Sequence, residues 1–194
     1  MEQAEITWKE DNEGIDFAKV ADLLNRAFAK THEPVNKPGY VPPKGEDGRR
    51  AEHGHQRTEA SARTVFTNSY GVVYALDGRK IAACGRVLSD GLEQAAIYNI
   101  AVDPAYQGYG LGRSVIEKLL EQVRGCEVIL YTHPQTVKFY ETLGFRRQKT
   151  GFVIHAGGSF SSFEEEEGFL LPEGYRFETD ESDYYEVPPE HLKR

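Results

Sequence analysis

The chain has 194 residues, 39% of them hydrophobic and 28% charged, with a formal net charge of −8. The apolar fraction supports a packed core and excludes a wholly disordered chain. The lack of any basic excess disfavours nucleic-acid binding, which needs phosphates neutralised.

The charge is unevenly placed. Residues 160–194 hold 11 acids and three bases, so the rest of the chain is electrically balanced. Two cysteines, Cys84 and Cys126, suggest no disulfide framework and read as buried thiols. The opening MEQAEITWKEDNEG is polar and acidic, unlike a signal peptide, and no apolar run is long enough to span a bilayer. A cytoplasmic setting is the expectation.

EITWKE, 5–10, alternates and suits a first strand. IDFAKVADLLNRAFAK, 15–30, places Phe17, Val20, Leu24 and Phe28 on one helical face, with Asp16 near its start. Residues 31–50 carry four of the nine prolines and three glycines, and read as a long loop. Residues 53–69 suit a helix over their middle. His53 and His55, two residues apart, share no helical face and read as a solvated pair, so no metal is expected. YGVVYAL and RKIAACGRVL flank Asp77-Gly78, a hairpin signal. QAAIYNIAV, 94–102, is apolar enough for a central strand, and Asp103-Pro104 stops it. Val115, Ile116, Leu119, Leu120 and Val123 mark a helix from Gly112. CEVILYT, 126–132, reads as a buried strand. Residues 134–145 read as a short helix opened by Pro134 and closed by Gly144, and 145–156 as a last strand bent at Gly151. The order predicts a mixed α/β sheet with helices on both faces.

DPAYQGYGLGRS, 103–114, puts Gly108, Gly110 and Gly112 at the mouth of a helix. It is no dinucleotide fingerprint, because position 113 is Arg, and no NTPase loop, because it lacks Gly-Lys-Ser/Thr. Glycines at a helix start let main-chain amides converge, aided by the helix dipole, and this suits a phosphate or pyrophosphate. Arg113 and Ser114 could add side-chain donors. A tight turn that uses glycine only for geometry fits equally well at this point.

Two motifs carry a resemblance. Gln107-Gly108-Tyr109-Gly110-Leu111-Gly112 resembles Q/R-x-x-G-x-G/A, the pyrophosphate loop of the GNAT superfamily of acyl-CoA N-acyltransferases, with VDPAYQ leading in as V-x-P-x-x-Q does there. Phe139-Tyr140-Glu141-Thr142-Leu143-Gly144-Phe145 resembles that family's late F-Y-x-x-x-G-F helix. The likeness spans roughly 5–156 by element order, and GRVLSDG and NIAVDPAYQGYGLG look like its small bacterial and plastid members that acetylate small amines. One departure is His133-Pro134-Gln135-Thr136, where many members have an Asn.

The resemblance implies a GNAT-like, mostly antiparallel sheet with a splayed central strand pair. It implies a domain over 1–156, interrupted by a loop insertion at about 31–54. It implies an N-acetyltransferase that moves acetyl from acetyl-CoA to a primary amine, a small molecule, by direct attack in a ternary complex. The coenzyme set it marks is Ile100, Ala101, Val102, Gln107, Gly108, Tyr109, Gly110, Leu111, Gly112, Arg113, Ser114 and Phe139. Strand amides would pair with the pantetheine arm, and an amide near Ile100 would face the thioester oxygen. Tyr140 is the candidate general acid, since a phenol of reference pKa about 10 keeps its proton at neutral pH. Asn99 stands where some relatives have a carboxylate, so the base is open. Asn99, Tyr98 and Glu93 are candidates to position a water, and Asp90 and His133 are weaker ones. A non-catalytic acyl-CoA-binding module and acetylation of a protein amine are the alternatives.

Residues 157–194 combine acid with many aromatics, which suits docking on the domain, on a second subunit or at the cleft mouth. The prior assembly for a small enzyme is a homodimer.

Overall fold

A computed structural model describes residues 5–28, 57–148, 151–153 and 170. The chain divides into two compact units, 1–132 and 133–194. The loop expected at 31–54 lies outside the described residues, as does the acidic extension apart from Leu170.

The first unit holds β1 (Ile6–Lys9), α1 (Phe17–Phe28), α2 (Glu59–Thr67), β2 (Gly71–Asp77), β3 (Lys80–Ser89), β4 (Gln94–Val102), α3 (Leu111–Gln122) and β5 (Glu127–Leu130). The sheet runs β1-β2-β3-β4-β5. Its first three pairings are antiparallel and β4-β5 is parallel. The hairpin turns at Gly78, whose φ of 55° is the left-handed geometry that a two-residue turn requires.

Alternation along the strands decides the two faces. Tyr74 and Cys84 from the sheet join Phe17, Val20, Leu23 and Leu24 of α1 and Ala62 and Phe66 of α2 in one buried cluster. Burying a side chain the size of Val20, Leu23, Leu24 or Phe66 contributes about 1.5–3 kcal/mol by leaving water. Tyr74 stacks on Phe66 at 5.6 Å, and its hydroxyl donates to Asn12 Oδ1 at 2.7 Å. α3 covers the other face with Val115, Ile116 and Leu119. A Cβ at Gly85 would stand 2.5 Å from Ile100 and 2.6 Å from Val115. Glycine there lets the helix close on the strand.

The helix starts are locally encoded. Asp16 Oδ1 accepts from the Ala18 amide at 3.1 Å. Thr58 Oγ1 accepts from the Ser61 amide at 3.1 Å, while Ser61 Oγ accepts from the Thr58 amide at 2.9 Å. This is a reciprocal capping box with serine in the usual glutamate place. Cys84 is buried, and burial pushes its thiol up to about 12. Cys126 is half-buried just before β5. Neither forms a disulfide.

The second unit contains a 3-10 turn (Pro134–Thr136) leading into α4 (Val137–Glu141). The strand expected over 145–156 is not found among its described residues, 145–148 and 151–153. Phe152 is 92% exposed. An alternating pattern becomes a strand only where a neighbour takes its edge and its apolar face.

Candidate functional site

The site begins where β4 and β5 part. β5 pairs with β4 from Gln94 to Ile97, and among the described residues no strand pairs with that edge of β4 over residues 98–102. On its other edge β4 stays joined to β3, but with a change of step. Arg86 lies opposite Tyr98 and Cys84 opposite Ala101, so two residues of advance on β3 meet three on β4. The extra residue makes a β-bulge. Asn99 sits in it with φ 54°, the one positive-φ non-glycine residue among those described. Asparagine tolerates that geometry better than most side chains.

The bulge reverses which edge each amide serves. Before it, the Glu93 carbonyl accepts from the Glu127 amide, so odd positions face β5. After it, the Asp103 amide donates to Ala82 of β3 at 2.8 Å, so odd positions face β3. Ile100 and Val102 therefore turn their main-chain groups to the edge that β5 has left. Gln107 agrees with this, since its Nε2 donates to the Val102 carbonyl at 3.3 Å. Ala101, by contrast, is buried in the core and directs its amide to β3, so it does not contribute a donor to the open edge.

The chain then enters the glycine loop. Asp103 caps a 3-10 turn (Pro104–Tyr106) by accepting from the Ala105 amide at 2.9 Å. Gly108 and Gly110 have φ of 85° and 82°, and Gly110 is the N-cap of α3 with no side-chain cap. Gly112 is not left-handed but lies in the first helical turn. Among the described residues no hydrogen bond engages the amides of Gly108, Gly110, Leu111 or Gly112. Among the described residues, no atom beyond the glycine and its chain neighbours lies within 4 Å of where a Cβ would stand at Gly108 or Gly110. Clustered donors, a helix dipole and open backbone fit a diphosphate. The side chains divide the work. Leu111 is buried and anchors the helix, and Tyr109 is exposed. Arg113 lies 3.8 Å from Glu117. The Ser114 amide is spent on the Gly110 carbonyl, which leaves its hydroxyl as donor.

A buried carboxylate braces the loop. Asp103 is 2% exposed and accepts from Arg26 Nη1 at 2.7 Å, with Lys80 Nζ at 3.4 Å. Lys80 also lies over the Tyr106 ring at 4.6 Å, and the Tyr106 hydroxyl bonds Asp77. Burial alone would raise the Asp103 pKa, but hydrogen bonds from Arg26 and the Ala105 amide hold it below the usual aspartate range. A lowered folded-state value stabilises above the unfolded pKa and is lost as pH falls through the lowered one. Asp103→Asn is therefore expected to lose about 1–2 kcal/mol at neutral pH, discounted for the exposed Arg26. In urea unfolding the gap from the parent narrows below about pH 4.

At the bulge itself five side chains gather. Arg86 Nε donates to Asn99 Oδ1 at 2.6 Å and Nη1 to Ser69 Oγ at 3.4 Å. Its guanidinium lies over the Tyr98 ring at 5.1 Å, and Tyr98 stands 6.4 Å from Tyr131 between ring centroids. Tyr98 and Asn99 thus come together as candidates. Glu93 does not join them, because it is exposed at the far end of β4, six residues or roughly 20 Å along. Asp90 is a loop organiser, accepting from the amides of Leu92, Glu93 and Gln94. Sequence reasoning missed Arg86, Ser69 and Tyr131. The available signal was a cation inside the apolar run KIAACGRVL.

In the second unit Tyr140 and Phe139 are half-buried on α4. Tyr140 meets Phe139 and Phe145 edge to face at 5.1 and 5.9 Å. Its carbonyl accepts from Leu143 and Phe145, and Gly144 with φ 90° closes the turn. His133 Nδ1 accepts from the Gln135 amide at 3.2 Å. Among the described residues no group of three His, Cys, Asp or Glu could hold a metal. No described helix is long and apolar enough to cross a membrane.

Comparison with known proteins matches residues 68–147 to the acetyltransferase (GNAT) domain family. GCN5-related N-acetyltransferase 1, chloroplastic, of Arabidopsis thaliana is 43% identical over 70 residues, 34% of this chain and 36% of the relative. Serotonin N-acetyltransferase 2, chloroplastic, of Oryza sativa subsp. japonica is 41% identical over 71 residues, 35% of each. The chain thus spans about a third of the length of these curated relatives. A GNAT-family acetyltransferase of Streptococcus pneumoniae TIGR4 shares the fold, with TM-score 0.55 and 21% identity over 78% of this chain and 98% of that one.

Proposed function

We propose that this chain, whose residues 68–147 match the acetyltransferase (GNAT) domain family and whose fold that family shares, is an acetyl-CoA-dependent N-acetyltransferase acting on a primary amine of a small molecule. The observation that carries the reading is the continuity of the open β4 edge with the donor-rich turn into α3.

Bound acetyl-CoA would supply an activated acyl group as a thioester. The amides of Gly108, Gly110, Leu111 and Gly112 would hold its diphosphate, and the Ile100 and Val102 edge would hold its arm as a strand holds a neighbour. The Ile100 amide, turned to that edge by the bulge, would donate to the carbonyl oxygen, a contact worth about 3–4 kcal/mol in such sites. Asn99 and the Tyr98 hydroxyl would position the water that relays the amine's proton. The Tyr140 hydroxyl would return a proton to the leaving thiolate.

The acetylation test is direct. The full chain, acetyl-CoA and a panel of amines are incubated, and thiol release and melting temperature are followed. Thiol release with at least one amine is expected. The competing reading is an acyl-CoA-binding module without catalysis, and it draws on the carboxamide, Asn99, at the bulge. Stabilisation by the coenzyme with no thiol release on any amine would establish that reading instead.

A further inference from the structure

Resting on the acetyl-transfer reading, we infer that the acceptor amine carries an anionic group, a carboxylate or phosphate, which Arg86 holds beside the bulge. Arg86 is half-buried, and no acid among the described residues is paired with it. Arg86 spends Nε on an amide oxygen and Nη1 on a hydroxyl, both neutral acceptors. A guanidinium has five N–H donors, so three remain, including a pair in fork geometry. A carboxylate or phosphate takes two of them in parallel.

The electrostatics point the same way. Burial, and after it the Arg57 charge, disfavour the charged form of Arg86. Arginine does not escape by losing its proton. A half-buried cation whose bonded partners are both neutral is relieved by an anion.

The position fits an acceptor. Asn99 is the second β4 residue past the last β4-β5 pair, Ile97 with Leu130, so Arg86 reaches the point where the strands part. The Tyr98 and Tyr131 rings flank that point. An amine reaching into the opening would leave its anionic end beside the Arg86 guanidinium, which lies over Tyr98 and bonds Asn99.

The test uses the full chain with saturating acetyl-CoA and three matched pairs: β-alanine and β-alaninamide, phenylalanine and phenylalaninamide, phosphoethanolamine and ethanolamine. Thiol release gives kcat/KM, and the melting temperature of the coenzyme A-saturated protein gives binding apart from turnover. The anionic member of at least one pair is expected to win by about tenfold or more. The phosphate and carboxylate arms separate the two chemistries. Arg86→Gln should collapse that ratio through KM, and Arg86→Lys should restore part of it. Arg86→Lys keeps a cation on the strand, so it reads the charge even if Arg86→Gln folds poorly. Transfer to amines with no preference in any pair, or a preference intact in Arg86→Gln, overturns the inference and leaves acetyl transfer standing. An arginine-dependent melting shift with anionic amines and no thiol release leaves an anion site but overturns the acceptor assignment together with acetyl transfer. No shift and no release overturns the inference as well.

Discussion

Gly110→Val weakens coenzyme A binding by about 100-fold or more, measured by calorimetric titration. Gly110 has φ 82° at the N-cap of α3. A β-branched side chain there costs about 1–2 kcal/mol in backbone geometry. The strain rotates the loop amides away from their common focus, and each charge-assisted hydrogen bond lost removes about 1.5–3 kcal/mol. Gly110→Asn is the control, because asparagine accepts the left-handed conformation and should retain most of the affinity. Among the described residues, no atom beyond the chain neighbours lies within 4 Å of a Cβ built at Gly110, so steric crowding does not confuse the result. A valine variant that titrates like the parent would remove the loop from coenzyme binding.

Tyr140→Phe lowers kcat by about 10²–10⁴, the range for losing a positioned proton donor, while the coenzyme still produces its melting shift. The substitution deletes one oxygen and keeps the ring that meets Phe139 and Phe145 edge to face. The hydrogen bonds that close the turn after α4 run to the Tyr140 main-chain carbonyl, so they survive the change. Undiminished thiol release would show that the thiolate leaves without this phenol's proton.

How much of this was legible in the sequence depends on whether the signal is local. The turn into α3 was legible because glycine and proline act where they stand: Asp103-Pro104 ends the strand and Gly110 begins the helix. The hairpin at Asp77-Gly78 and the apolar stripe of α1 were legible for the same reason. The bulge was not. It exists only as a mismatch of count between residues 84–86 and 98–101 on two strands, and neither run shows it alone. Arg86 was hidden likewise, because its meaning comes from Asn99, Ser69 and Tyr98, which other parts of the chain bring to it. Glu93 was a plausible acid by type, but strand rise places it far from the bulge. The alternation over 145–156 promised a strand, yet the described residues there lack the paired edge that would make one.

The surplus residue at Asn99 has an evolutionary corollary. What faces the strand gap is peptide backbone, selected by counting rather than by chemistry. Changes of side chain at residues 98 and 100–102 can leave those amides aimed as they are, while position 99 must keep a residue that tolerates its left-handed geometry. Excision of a single residue between Tyr98 and Ala101 would have the opposite effect. It would realign the ladder with β3 and swing the Ile100 amide out of the gap, disarming the strand while every neighbouring residue type survived.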